Sequence, residues 1–102
     1  MRTHAKRDAN QSEIVGALRK VGATVTDLAS VGGGCPDVLV GFRGRNYAME
    51  IKDGSLPTSR RVLTPAEQAW HATWRGQCAI VNSVREALAI IGVYVGGETP
   101  FG

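Results

Sequence analysis

The chain has 102 residues, 43% of them hydrophobic and 21% charged, with a net charge of +3. This is close to average globular usage, which excludes a disordered or fibrous chain, and the length fills one core and not two. The longest apolar run, Ala87 to Val95, falls well short of the ~20 residues a bilayer crossing needs.

The basic N-terminus (Arg2, Lys6, Arg7) has no apolar stretch behind it and does not read as a signal peptide, so a cytoplasmic address is expected. Cys35 and Cys78 are too few and too far apart for a disulfide framework or a zinc site, and both read as small apolar residues.

In chain order, Asn10 suits the N-cap of a first helix whose apolar residues Ile14, Ala17, Leu18 and Val21 recur at helical spacing, with Gly22 as its stop. Ala23 to Ala29 alternates and is rich in Val and Thr, as a strand should be, before the breakers Gly32-Gly33-Gly34 and Pro36. Asp37 to Phe42 is a short apolar strand. Arg43-Gly44-Arg45-Asn46 has turn chemistry, and Tyr47 to Lys52 reads as the returning strand of a hairpin. Asp53 to Leu63 is a polar, basic surface loop. Thr64-Pro65-Ala66-Glu67 then offers an N-cap, a proline at the first helical position and a glutamate three residues after the cap, which predicts a helix from Pro65 to Arg75. Cys78 to Val81 reads as a buried strand, and Ser83-Val84-Arg85-Glu86 as a second capping box opening a helix to about Ile91. The tail from Gly92 to Gly102 is expected to be loosely held. The order is α-β-β-β-α-β-α in a single domain over residues 1–102, without repeat or linker.

Chemistry concentrates on the hairpin. Residues two apart on a strand share a face, so Glu50 and Lys52 stand side by side while Ile51 points into the core. A turn near Gly44-Arg45 brings Asp37, at the start of one strand, opposite Glu50, near the end of the other. Two carboxylates on rigid strands suit a hard cation such as Mg²⁺, which prefers oxygen ligands and keeps several waters. The adjacent ammonium can orient a nucleophile, stabilise charge on a phosphate, or take a proton, and the sequence does not choose among these roles. An acid-x-Lys triplet alone reads equally as a surface salt bridge. Gly34-Cys35-Pro36-Asp37 followed thirteen residues later by Glu50-Ile51-Lys52, with both acids on predicted strands, is far more specific.

These stretches, with Leu63-Thr64-Pro65 leading to Gln68 and Glu13 in the preceding helix, resemble the PD-(D/E)xK nucleases, and within them the stand-alone VRR-NUC domains of phage and bacterial genomes. The resemblance covers nearly the whole chain. It implies an α/β, restriction-endonuclease-like αβββαβ core, here with an additional C-terminal helix. It further implies Asp37, Glu50, Glu13 and the Ile51 backbone carbonyl as ligands of Mg²⁺ or Mn²⁺, Lys52 as the catalytic lysine, and Gln68 as a polar residue lining the site. The expected activity is metal-dependent hydrolysis of DNA phosphodiester bonds, selective for branched substrates such as Holliday junctions, by a homodimer.

Between Arg43 and Arg61 five basic residues face two acids. Arg43, Arg45, Arg60 and Arg61 are the candidates for phosphate contacts, which give sequence-independent, salt-sensitive affinity. Each remaining assignment has a plainer reading. Glu13, in the first turn of its expected helix, also suits the helix dipole. Gln68 reads as an exposed amide, His71 as a rim residue, and Trp70 and Trp74 as core or dimer anchors. The triple glycine lacks the lysine, the Ser/Thr and the following helix of a phosphate-binding loop. Two other classes of function compete with the nuclease: a non-catalytic nucleic-acid-binding module, and a structural dimerisation domain built on the tryptophans.

Overall fold

In the first helix Ile14 and Leu18, one turn apart, are completely buried, which fixes the face that α1 (Thr3–Lys20) turns to the sheet. The computed structural model describes residues 3–94, and of residues 3–8 the backbone course alone. Helix α1 thus begins well before Asn10, which lies in its interior instead of capping it, and Glu13 is not in its first turn. Its C-terminus carries Arg19 and Lys20, complementing the helix dipole. The helix closes in a Schellman motif: Gly22, at φ +100°, donates to Arg19 (3.0 Å) and Ala23 donates to Leu18 (3.1 Å).

Strands β1 (Thr24–Asp27), β2 (Val38–Phe42) and β3 (Arg45–Ile51) form an antiparallel meander, and β4 (Cys78–Val81) joins β3 in parallel after a crossover through α2 (Pro65–Thr73). The β2–β3 loop is two residues long. Arg43 and Gly44 both have positive φ (52° and 81°), as a type I′ hairpin turn requires, and the Arg43 guanidinium lies 4.8 Å over the Phe42 ring. The expected loop from Asp53 to Leu63 contains one 3₁₀ turn, Thr58–Arg60.

Helix α2 starts with the full capping box at Thr64 and Glu67. At α3 (Val84–Ile90) only half of the expected box forms. Ser83 Oγ accepts from the Glu86 N–H (3.2 Å), but the Glu86 carboxylate reaches one residue further back, to the Asn82 backbone N–H (2.8 Å). This helix also ends in a Schellman motif, at Gly92 (φ +90°), with Val93 donating to Leu88 (2.8 Å). The rest of the expected loose tail, residues 95–102, lies outside the described residues.

The core sits between one face of the sheet and helices α1 and α3. Val38 and Val40 of β2, Met49 and Ile51 of β3 and Val81 of β4 meet Ile14, Leu18, Ala87, Leu88 and Ile91 there. The opposite face of the sheet carries Leu39, Ala48, Glu50 and Ile80, and the start of α2 comes to it. Contrary to the expected core role, Trp70 and Trp74 stay out of this cluster: they stack on each other at 4.6 Å, and Trp74 is 49% exposed. Among the described residues no helix is long and apolar enough to cross a membrane.

Candidate active site

The hairpin register sets the site. Val38 pairs with Met49, so Asp37, one residue before β2, lies opposite Glu50. Directly opposed residues of an antiparallel pair project to the same face, and Lys52 follows on that face two residues on. The three charged groups therefore gather at one end of the β2–β3 ladder, on the face away from the core. The Asp37 carboxylate accepts a 2.7 Å hydrogen bond from the Ile51 N–H, so the Ile51 peptide is turned toward the aspartate while its side chain is buried in the core (2% exposed).

Glu50 is the buried charged residue of the described chain, 1% exposed. As an anion it has no donor, since neither carboxylate oxygen has a hydrogen-bond partner. Burial pushes its carboxyl up to about 8, helped by the negative charges of Asp37 and Glu67 and opposed by Lys52.

The Lys52 ammonium stands between two carboxylates, 3.5 Å from Glu50 Oε2 and 3.1 Å from Glu67 Oε1. The main chain at Lys52 is fixed from two sides. Its N–H donates to the Val81 carbonyl (2.9 Å), and its carbonyl accepts from the Asn10 side-chain amide (2.8 Å), which is the part Asn10 plays from within α1.

Glu67 is the residue sequence reasoning missed. Its role in the capping box was legible, but its approach to Lys52 was not. Burial works against its charge, yet the Thr64 N–H and Lys52 prevail and hold its carboxyl below the ordinary value. Gln68, the residue expected to line the site, is exposed and turns its amide back to the Leu63 carbonyl (3.2 Å).

Glu13 is exposed and lines a groove of about 520 Å³ with Asn10, Asp53, Arg61, Asn82 and Arg85. Among the described residues no group of three or more His, Cys, Asp and Glu side chains is placed to hold a metal ion, so Glu13 does not form such a set with Asp37 and Glu50.

The four arginines fall into two groups. Arg43 and Arg45 sit at the hairpin turn, the end of the ladder away from Glu50, about 17 Å off by strand rise. Arg60 and Arg61 lie in the loop that leaves β3 beside Lys52. The basic stretch from Arg43 to Arg61 is split in space because strand β3 separates the hairpin turn from the loop that follows it.

No protein-family model matches the chain, and no curated protein matches its sequence. Among solved structures it is similar to a chain described as a VRR_NUC domain, with 23% identity and a TM-score of 0.64 over 84% of this chain and 94% of that one. The mixed four-stranded sheet with three helices agrees with the restriction-endonuclease-like core expected from the sequence. This protein therefore has the fold of a VRR_NUC domain.

Proposed function

We propose that this protein is a divalent-metal-dependent DNA endonuclease whose centre is formed by Asp37, Glu50 and Lys52. The observation that carries the reading is Glu50: a carboxylate withdrawn from water, with no hydrogen-bond donor and two neighbouring acids against the single Lys52 ammonium 3.5 Å away, is costly to keep charged, and a divalent cation would offset that cost. The donor set fits Mg²⁺ or Mn²⁺, because these ions prefer oxygen ligands and Mg²⁺ is usually held by one or two carboxylates with water completing its shell.

Asp37, Glu50 and the Ile51 carbonyl would hold the ion, which when bound supplies Lewis acidity to the phosphodiester and acidity to a water. Asp37, braced by the Ile51 N–H, keeps its carboxylate oriented without rearrangement. Lys52 presents its ammonium beside the two acids, where it orients the attacking oxygen and offsets charge growing on the phosphate. Arg60 and Arg61, in the loop that follows β3, supply phosphate contacts on one side, and Arg43 and Arg45, at the hairpin turn, supply them further along the duplex. Selectivity for branched DNA and action as a symmetric homodimer belong to this reading through the VRR-NUC resemblance, paired sites being suited to a four-way junction.

The test is incubation of purified protein with Mg²⁺ or Mn²⁺ and a labelled panel of linear, nicked, flapped and four-way DNA. Cutting that disappears in Asp37→Ala, Glu50→Ala and Lys52→Ala while DNA binding persists is the expected result. Absence of cutting on every substrate, or cutting retained in all three variants, would refute it. A non-catalytic DNA-binding module would show salt-sensitive binding and no response to the metal.

A further inference from the structure

We infer that Glu67 is a positioning residue for Lys52: it ties the lysine ammonium to the start of helix α2 and so fixes where that charge stands. The inference rests on the nuclease reading of Lys52.

Three observations carry it. Glu67 Oε1 accepts from Lys52 Nζ at 3.1 Å, while the same oxygen accepts from the Thr64 N–H at 2.9 Å. Glu67 N–H in turn donates to Thr64 Oγ1 at 3.2 Å, so the carboxylate is held by the capping box and is not a free rotor. Both side chains are mostly withdrawn from solvent, at 13% for Lys52 and 14% for Glu67.

A lysine has four rotatable side-chain bonds, so without a fixed partner its ammonium samples several positions. An ammonium has three N–H bonds. One is directed to Glu67 and a second faces Glu50 Oε2 at 3.5 Å, which leaves the third for a phosphate oxygen or the attacking water. The Glu67 carboxylate thus becomes part of the reaction geometry: it stands on the first turn of α2, which is itself pressed against the Gly34 backbone, and sets the position of the lysine that follows strand β3. A cap of purely structural value would need no lysine beside it.

The test compares Glu67→Ala, Glu67→Gln and Thr64→Ala in the full chain. Glu67→Gln keeps an oxygen that can accept from both Thr64 and Lys52, and it is expected to retain kcat within a few-fold. Glu67→Ala is expected to lower kcat at saturating DNA by about 10- to 100-fold, the scale of loss when a reacting group is misplaced by about an ångström. KM for DNA and the calorimetric Mn²⁺ affinity should change by less than about 3-fold. Thr64→Ala removes the other half of the cap and should lower Tm while leaving kcat within about 2-fold.

A second readout does not depend on cutting. The Lys52 ammonium, assigned by its loss in Lys52→Ala, should give a slowly exchanging ¹H–¹⁵N signal in the wild type and in Glu67→Gln, and none in Glu67→Ala. Full kcat in Glu67→Ala, equal losses of kcat in Thr64→Ala and Glu67→Ala, or an unchanged ammonium signal would each overturn the inference. So would a tenfold loss of Mn²⁺ affinity in Glu67→Ala, which would make Glu67 a metal ligand instead. If the wild type cuts no DNA, the nuclease reading falls and the catalytic role of Glu67 with it; the ammonium signal still decides separately whether the contact exists.

Discussion

Replacing Glu50 by glutamine should stabilise the metal-free protein at neutral and alkaline pH while removing its response to metal. The Glu50 carboxyl titrates near 8 in the folded chain against an ordinary value of 4.5. Between those values the folded state keeps a proton that the unfolded state has released, so stability falls as pH rises from 4.5 to 8 and is level above that. Each pH unit across the window costs about 1.4 kcal/mol, which amounts to about 3 kcal/mol at pH 7 and at most about 5 kcal/mol above pH 8. For a domain of this size about 3 kcal/mol corresponds to a Tm difference of the order of 10 °C or more. Glutamine is a neutral isostere, so Glu50→Gln escapes the penalty. Thermal unfolding followed by circular dichroism between pH 5 and 8.5, with and without Mn²⁺, measures it. The wild type should lose Tm as pH rises and regain it with Mn²⁺, by about 2.7 kcal/mol at a hundred times Kd. Glu50→Gln should show a flatter profile that Mn²⁺ leaves unchanged. The reasoning is refuted if the variant is the less stable protein at pH 8 without metal, or if Mn²⁺ stabilises both equally.

Three further perturbations test neighbouring parts of the structure. Gly34 lies at φ +82°, and a Cβ there would overlap the Ala66 carbonyl oxygen of α2; Gly34→Ala should cost about 2 kcal/mol or more in chemical denaturation, combining left-handed strain with a backbone clash. Ser83→Ala removes the hydroxyl that accepts from the Glu86 N–H and should cost about 1 kcal/mol by the same measurement, without changing DNA cutting. The double variant Arg60→Ala, Arg61→Ala should weaken DNA binding at low salt and reduce the slope of log K against log salt by about 2, whereas an unchanged slope would remove these arginines from the interface.

The order of elements was readable because each carries its own period or cap: alternation through Ala23 to Ala29, the apolar run at Asp37 to Phe42, and the proline-led capping box at Thr64. The convergence of Asp37, Glu50 and Lys52 was readable for the same reason, since a short turn and a two-residue side-chain period fix which groups share a face. What remained hidden depends on contacts between elements. Asn10 reads as a cap because asparagine favours that position, but the helix runs on to Thr3 and the amide instead holds the Lys52 carbonyl, 42 residues away. Glu67 is fully accounted for by its local cap, so nothing in the sequence announces that α2 brings it to Lys52. The tryptophans show the limit of hydrophobicity as a guide to burial: Trp70 and Trp74 satisfy each other by stacking on the surface of a helix with no buried residue. The arginines show that basic residues grouped in one stretch of sequence part company in space when a strand lies between them.

The central claim is that Asp37 and Glu50 hold a divalent ion beside Lys52. The most direct measurement is anomalous scattering from crystals soaked in Mn²⁺ at pH 8, compared with crystals of Glu50→Gln. A peak about 2.1 Å from carboxylate oxygens of both Asp37 and Glu50 in the wild type, absent from the variant, is the predicted result. No peak beside Asp37 and Glu50 in the wild type, or an equal peak in Glu50→Gln, would contradict it.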